Sequence, residues 1–363
     1  MKFGVRYKKN STPCGDTGAN MGKNENLNFL DLSKFLLSFC VIAIHVQPFI
    51  NIENKVLYGF YEAIVRCAVP IFFLASGYLL SRKFKTDSLN KEVVKRYIKA
   101  NLKLYIKWTI IYLPITIIHF INTGTGTLKA VGKFVYNFVV VGQNYNSWPL
   151  WYLLSTVYAA IFILFCIKRG SSIKKIAIIG AIFILVGISL NVFYDMQFDN
   201  SMVDSAKHIL HNIVPDGRIF GGFFYIPLGI YIEKKWRERP NKDQDVKKLI
   251  ISSILLLIMR AVLNDTFLAE YITVLYGVTL FLLILCVKLR DRSFYKILRK
   301  VSMYNYLLHM LVWTILYMLF YGTKTCGIFM FIITSIVTTA ISCAIVFLKK
   351  LYDKHHELSL NKI

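Results

Sequence analysis

The chain has 363 residues, 56% of them apolar, a mean hydropathy of +0.51 and a formal net charge of +24. So much apolar surface excludes a soluble domain of this size. The positive charge falls in short clusters between long apolar runs, which leaves no soluble basic face and so excludes a nucleic-acid binder. A helix needs about 20 apolar residues to cross the hydrocarbon core, and a spanning chain must satisfy its own backbone hydrogen bonds as helices or a closed barrel. The runs here are continuous and rich in Leu, Ile and Phe, without period-two alternation. They predict an all-α polytopic membrane bundle of about ten transmembrane helices.

In chain order, residues 1–26 are polar, with Gly, Asn, Lys and Ser, and are expected to form a disordered cytoplasmic tail. Spans are expected at 29–49, 58–80, 101–121, 148–167, 173–194, 217–232, 249–263, 268–287, 303–320 and 327–348. Residues 128–142 are apolar but too short to span, and read as an interfacial or re-entrant helix. The membrane domain is thus 27–350. Residues 351–363 read as a cytoplasmic tail or the start of a linker to a soluble domain.

Of the 44 Lys and Arg residues, 35 fall in alternate connections: the N-terminal tail, 81–107, 168–175, 233–248, 288–300 and the C-terminal tail. This bias places those segments, and both termini, on the cytoplasmic side of a bacterial-type plasma membrane, where anionic lipid accounts for the charge. The seven cysteines (Cys14, Cys40, Cys67, Cys166, Cys286, Cys326 and Cys343) form no CxxC pair. They read as small packing residues, and no metal site is expected.

An ionisable side chain inside a span costs about 2.5–3.5 kcal/mol on insertion scales and needs a reason. Asp31 and Lys34 open the first span, and His45 follows Lys34 by eleven residues, close to three helical turns and about 16 Å of rise. The three therefore share one stripe. Alone, Lys34 would snorkel to the interface and His45 would be a packed side chain; together they suggest a lined cavity. In the second span, Glu62 and Arg66 form an i,i+4 pair, followed by Pro70 and Ser76-Gly77. This reads either as part of the same lining or as an ion pair that fixes helix orientation, with Ser76-Gly77 allowing a close helix approach.

Four stretches in order resemble the acyltransferase family 3 of membrane proteins. They are Lys34-x10-His45, the run Arg66-Cys67-Ala68-Val69-Pro70-Ile71-Phe72-Phe73-Leu74-Ala75-Ser76-Gly77-Tyr78, Trp148-Pro149-Leu150-Trp151-Tyr152-Leu153, and Val301-Ser302-Met303-Tyr304-Asn305-Tyr306-Leu307-Leu308-His309. Lys34 departs from the Arg that is usual there; Lys keeps the charge but lacks the planar fork that grips phosphate or carboxylate. More narrowly, His45-Val46-Gln47-Pro48, Arg66 to Pro70, and Arg218-Ile219-Phe220-Gly221 with Pro227 and Gly229 resemble the membrane domains of vancomycin-resistance serine racemases. There, a soluble pyridoxal-phosphate racemase domain follows.

The resemblance implies a ten-helix enzyme that moves an acyl group, acetyl in the first instance, from cytoplasmic acyl-CoA to a hydroxyl-bearing cell-envelope acceptor. His45 would be general base or acyl carrier. Asp31 and Glu62 would orient the cations, Lys34 and Arg66 would meet CoA phosphates or an oxyanion, and Ser76, Trp151 and His309 would contact the donor. The alternative is a non-enzymatic uptake domain for serine or a similar small amino acid, serving a fused soluble racemase. A purely structural anchor has no need of His45, Arg66 and His309 inside the bilayer. The implied partners are membrane lipid, acyl-CoA, the envelope acceptor or small amino acid, and a racemase domain, with a homodimer left open.

The remaining polar positions carry two readings each. His309 is functional or packed. Trp148, Trp151 and Tyr152 are interface anchors or ligand contacts. Asp216 and Arg218 face the acceptor or form an interfacial pair. His208 and His211, at i,i+3, lack a third ligand and read as a solvated face. His355 and His356 read as exposed tail residues.

Overall fold

In a computed structural model of the chain, residues 26–84, 89–197, 201–238, 245–320 and 326–360 are described. They hold helices and turns and no strand. The expected tail at 1–26 falls, but for Asn26, outside the described residues, as does Lys324.

The first span is α1 (Asn28–Val46), which ends where Gln47 takes a left-handed conformation at φ 50°. The second is broken into α2 (Lys55–Arg66) and α3 (Ala68–Ser81), which meet at Cys67. Pro70 accounts for the break: it has no N–H for the Arg66 carbonyl four residues back, and its ring crowds that carbonyl. Asn54 starts α2 by accepting from the N–H groups of Val56 and Leu57.

α4 (Lys91–Asn122) is capped in the same way by Asn90 and begins ten residues before the expected span. Its lysines end the apolar run without ending the helix, because long cationic stems reach outward from a continuous backbone. α5 (Thr127–Tyr136) continues into a single π turn at Asn137–Val141 and buries no residue, as a helix lying at a surface does. α6 (Leu150–Lys168) and α7 (Ile173–Asp195) follow the expected spans closely.

The connection after α7 contains an unforeseen helix, α8 (Ser201–Ile213), which buries nothing. A 3-10 turn (Gly217–Phe220) leads into α9 (Gly221–Glu238), followed by α10 (Val246–Val262) and α11 (Leu268–Cys286). α12 (Ser293–Leu319) starts ten residues before its expected span. α13 (Ile328–Leu360) runs well past residue 350, so the expected tail or linker is helix through Leu360.

Seven helical stretches are long and apolar enough to cross a membrane: α1, α2 with α3, α4, α6, α7, α11 and α13 through His355. α9, α10 and α12 pack among them, and the protein is a polytopic all-α membrane bundle of about ten crossings.

The centre of the bundle is the contact of α3 with α9, which also packs on α6 and α7. Two glycines make that contact reciprocal. A methyl group on Gly77 would lie 2.1 Å from the Ile226 carbonyl oxygen, and one on Gly229 would lie 2.2 Å from that of Leu74. Small residues let the two backbones touch where lipid offers no hydrophobic drive for association. At the end of α3, the Ser81 hydroxyl donates to the buried carboxylate of Glu233 at 2.6 Å.

Candidate functional site

α1 and α12 lie side by side and run parallel. Along the contact, Asp31 faces Arg299 at 3.7 Å, the Ser302 hydroxyl donates to the Lys34 carbonyl at 2.8 Å, and the Asn305 amide donates to the Ser38 hydroxyl at 3.3 Å. At the far end, the His45 and His309 rings stack with centroids 5.3 Å apart and planes 24° apart. On α12 the polar residues Ser302, Asn305 and His309 follow one another at helical spacing. All three are buried.

His45 lies in the last turn of α1, nearer its end than the expected span placed it. It is half-buried, whereas His309 is fully buried. A turn after the π segment delivers a third ring to the pair. Gly142 at φ 82° and Asn146 at φ 53° bend the chain, and the Ser147 hydroxyl accepts from the Asn144 N–H at 2.7 Å. Asn146 donates to Thr314 on α12 at 3.1 Å. The turn thereby holds Trp148 with its ring centroid 5.4 Å from His45.

Beyond the histidines, the Arg218 guanidinium lies 4.8 Å over the Trp151 ring. Its Nη2 donates to Gln143 Oε1 at 2.8 Å, and its Nε pairs with Asp216 at 2.6 Å. Asp216 and Arg218 thus form the pair that one of their two readings expected. Arg218, Asp216 and Trp151 form one wall of a cavity of about 250 Å³, otherwise lined by Tyr158 and by apolar groups of the π segment, Val214, Pro215, the 3-10 turn and α9. The cavity opens beside the Arg218–Asp216 ion pair, which sets donors and acceptors together against an otherwise largely apolar lining.

The other expected site residues lie elsewhere. Asp31 is on the same stripe as His45 but fourteen residues away, about 21 Å along the helix, and its partner is Arg299. It cannot contact the His45 ring. Glu62 pairs with Arg66 as expected, yet Arg66 turns to α11, with its second partner Glu270 at 3.8 Å. Neither of these ion pairs of Arg66 is with α1. The Ser76 hydroxyl is engaged with that of Tyr152 at 2.8 Å, and Tyr152 also donates to the Phe72 carbonyl. Tyr152 is therefore a joint between α3 and α6. His208 sits against Asn212, and His211 against Tyr194.

Two residues escaped the sequence reading. Gln143 carries no charge and sits in a loop. Arg260, at the end of α10, reads as a flanking cation but is 2% exposed and donates to Thr273 and Asn264 at 2.8 Å each. An Arg three residues inside an apolar run was the available signal.

A family profile described as "Acyltransferase domain" matches residues 27–347. An amino-acid racemase of Enterococcus faecalis is 24% identical over 237 residues, which cover 64% of this chain and 31% of that protein. A serine/alanine racemase of Enterococcus gallinarum is 25% identical over 290 residues, covering 77% of this chain and 40% of that protein. The chain thus spans well under half the length of these relatives. No solved structure matches. With the family profile covering all but the first 26 and last 16 residues, the chain belongs to acyltransferase family 3 of membrane proteins.

Proposed function

We propose that the protein transfers an acyl group, acetyl in the first instance, from cytoplasmic acyl-CoA to a hydroxyl group of a cell-envelope acceptor. The observation that carries this reading is the His45–His309 pair, held between α1 and α12 next to the Arg218–Trp151 wall. Acyl transfer to a hydroxyl needs a base, and an imidazole is the side chain suited to that near neutral pH. His45 takes the hydroxyl proton as the oxygen attacks the thioester carbon. The carbon–sulfur bond then breaks, and the proton passes to the departing CoA thiolate. Lys34, toward the opposite end of α1, offers its ammonium to the CoA phosphates. Arg218 and the neighbouring cavity receive the acceptor.

Purified protein in nanodiscs is given acetyl-CoA, with and without a sugar acceptor, and CoA release is measured. Turnover is expected in the parent. His45→Gln should lose about 10²–10⁴-fold, the usual worth of a general base, while keeping its melting temperature. A variant that retains more than about a tenth of the parental rate would overturn the role of His45.

A second reading has its own support in the names of the relatives, which are racemases of amino acids, serine and alanine among them. In this reading the same polar stripe admits a small amino acid for a soluble racemase. Binding of labelled serine, with no stabilisation by CoA and no thioester turnover, would favour it.

A further inference from the structure

His309 has one nitrogen satisfied and one stranded. Its Nδ1 lies 3.1 Å from the Asn305 carbonyl oxygen. A carbonyl only accepts, so Nδ1 carries the proton and Nε2 is left with a lone pair. That Nε2 is buried and has no hydrogen-bond partner among the described residues. Buried acceptors in native proteins almost always have a donor, and an exception asks for an explanation.

Two side chains with hydrogen-bonding groups stack near it. Tyr306, with its ring centroid 6.3 Å away, commits its hydroxyl to the Pro149 carbonyl at 2.8 Å. His45, at 5.3 Å, makes no ring hydrogen bond among the described residues, is half-buried and also meets the Trp148 ring at 5.4 Å. The charged group within electrostatic reach of His45 is Arg218, on the turn before α9. Its positive charge opposes a second one nearby. The last turn of α1 works the other way, because its free carbonyls favour a cation.

We propose that His309 is a positioning residue for His45: when His45 takes up the acceptor's proton, its ring turns and donates an N–H to Nε2 of His309. This rests on the reading of His45 as the base. The completed chain runs from the Asn305 carbonyl through the Nδ1–H and Nε2 of His309 to the imidazolium of His45. It fixes the angle of the His45 ring and stabilises its imidazolium, as a carboxylate does in a catalytic triad, but without a charge. No proton moves to His309, which keeps its own on Nδ1. The proton on His45 came from the hydroxyl and leaves on the CoA thiolate.

The decisive measurement is nitrogen NMR on protein with ¹⁵N-labelled histidine in lipid nanodiscs. On acidification, a coupling between the ring nitrogens of residues 45 and 309 through a shared hydrogen is expected in the parent. It should be absent in His309→Phe, which keeps a ring of similar size. The absence of that coupling in folded parent with His45 protonated would overturn the proposal. In turnover, His309→Phe is expected to lose about 10- to 100-fold in kcat, the worth of one hydrogen bond to a charged group, with KM for acetyl-CoA within about twofold. His309→Gln, whose amide oxygen reaches toward the place of Nε2, should recover most of the loss. Full kcat in His309→Phe would overturn the proposal as well. Should that variant fail to fold, the parental coupling and the His309→Gln kinetics decide. A parent with no thioester turnover would remove the proposed function, while the nitrogen coupling would still settle the pairing of the two rings.

Discussion

Lys34 and Arg66 shared one expected role, a cation for CoA phosphates or an oxyanion, and the structure gives them different neighbours. Lys34 belongs to the stripe of α1 that faces α12. If it meets CoA phosphates, CoA should raise the melting temperature of the parent, and Lys34→Ala should remove most of that rise. Arg66 is tied to Glu62 on its own helix and to Glu270 on α11. Arg66→Ala should therefore cost only about 0.2–1 kcal/mol of stability, the usual worth of a partly exposed ion pair, and should leave the CoA-induced rise intact. Differential scanning fluorimetry on the two variants, with and without CoA, checks both. The difference between them was not legible in the sequence, because i,i+4 spacing shows that Glu62 and Arg66 meet but not which neighbouring helix they face. His45 and His309 were legible as imidazoles in hydrocarbon. Their contact was not, since it joins residues 264 positions apart. Arg218 was harder still: its site is made by Trp151 and Gln143, from two separate stretches of chain.

Among the helices, the hydropathy pattern marked the spans well and their ends poorly. α4 and α12 both begin about ten residues early, in basic segments that contain neither Pro nor Gly. A charge ends an apolar run, whereas a helix ends where its backbone is interrupted. α8 was missed because a short polar helix outside the core leaves no apolar periodicity to read. The break between α2 and α3 was visible in Pro70. The close approach that Ser76-Gly77 suggested exists, though its partner α9 could not be named from sequence. Gly77→Val should press two branched methyls into the Ile226 carbonyl, with no room for the backbones to part. A loss of roughly 1–3 kcal/mol or more is expected, seen as a lower melting temperature or as failure to accumulate in the membrane. Gly132→Val on α5, where nothing lies within 4 Å, is the matched control and should leave the melting temperature unchanged.

For the whole molecule, the helix directions fit the alternation of connections from which the charge bias was counted. α1 and α12 run parallel, which requires an odd number of crossings between them. The seven segments α2–α3, α4, α6, α7, α9, α10 and α11 supply it. We expect a cysteine placed at Ile52 or Asp204 to react with an impermeant maleimide added outside intact cells, in a background with the reactive native thiols replaced. Cysteines at Asn90 or Tyr295 should react only after lysis. Labelling of position 90 from outside would invert the topology and with it the side from which a CoA donor enters.

The parallel pairing of the first and ninth crossings also bears on how the protein is made. α1 reaches the bilayer first, carrying Asp31, Lys34 and His45, and the residues that answer them on α12 are translated some 264 codons later. At about 5–20 residues per second, that is roughly 13–53 s during which a polar helix face waits in lipid without its neighbour. In that interval α1 lacks the packing of α12, and the two histidines have not yet met. A chain cut just before α12 would hold α1 to α11 and still lack the pair. Residues 293–319 supplied as a separate fragment would need only to slide in beside α1 to complete it.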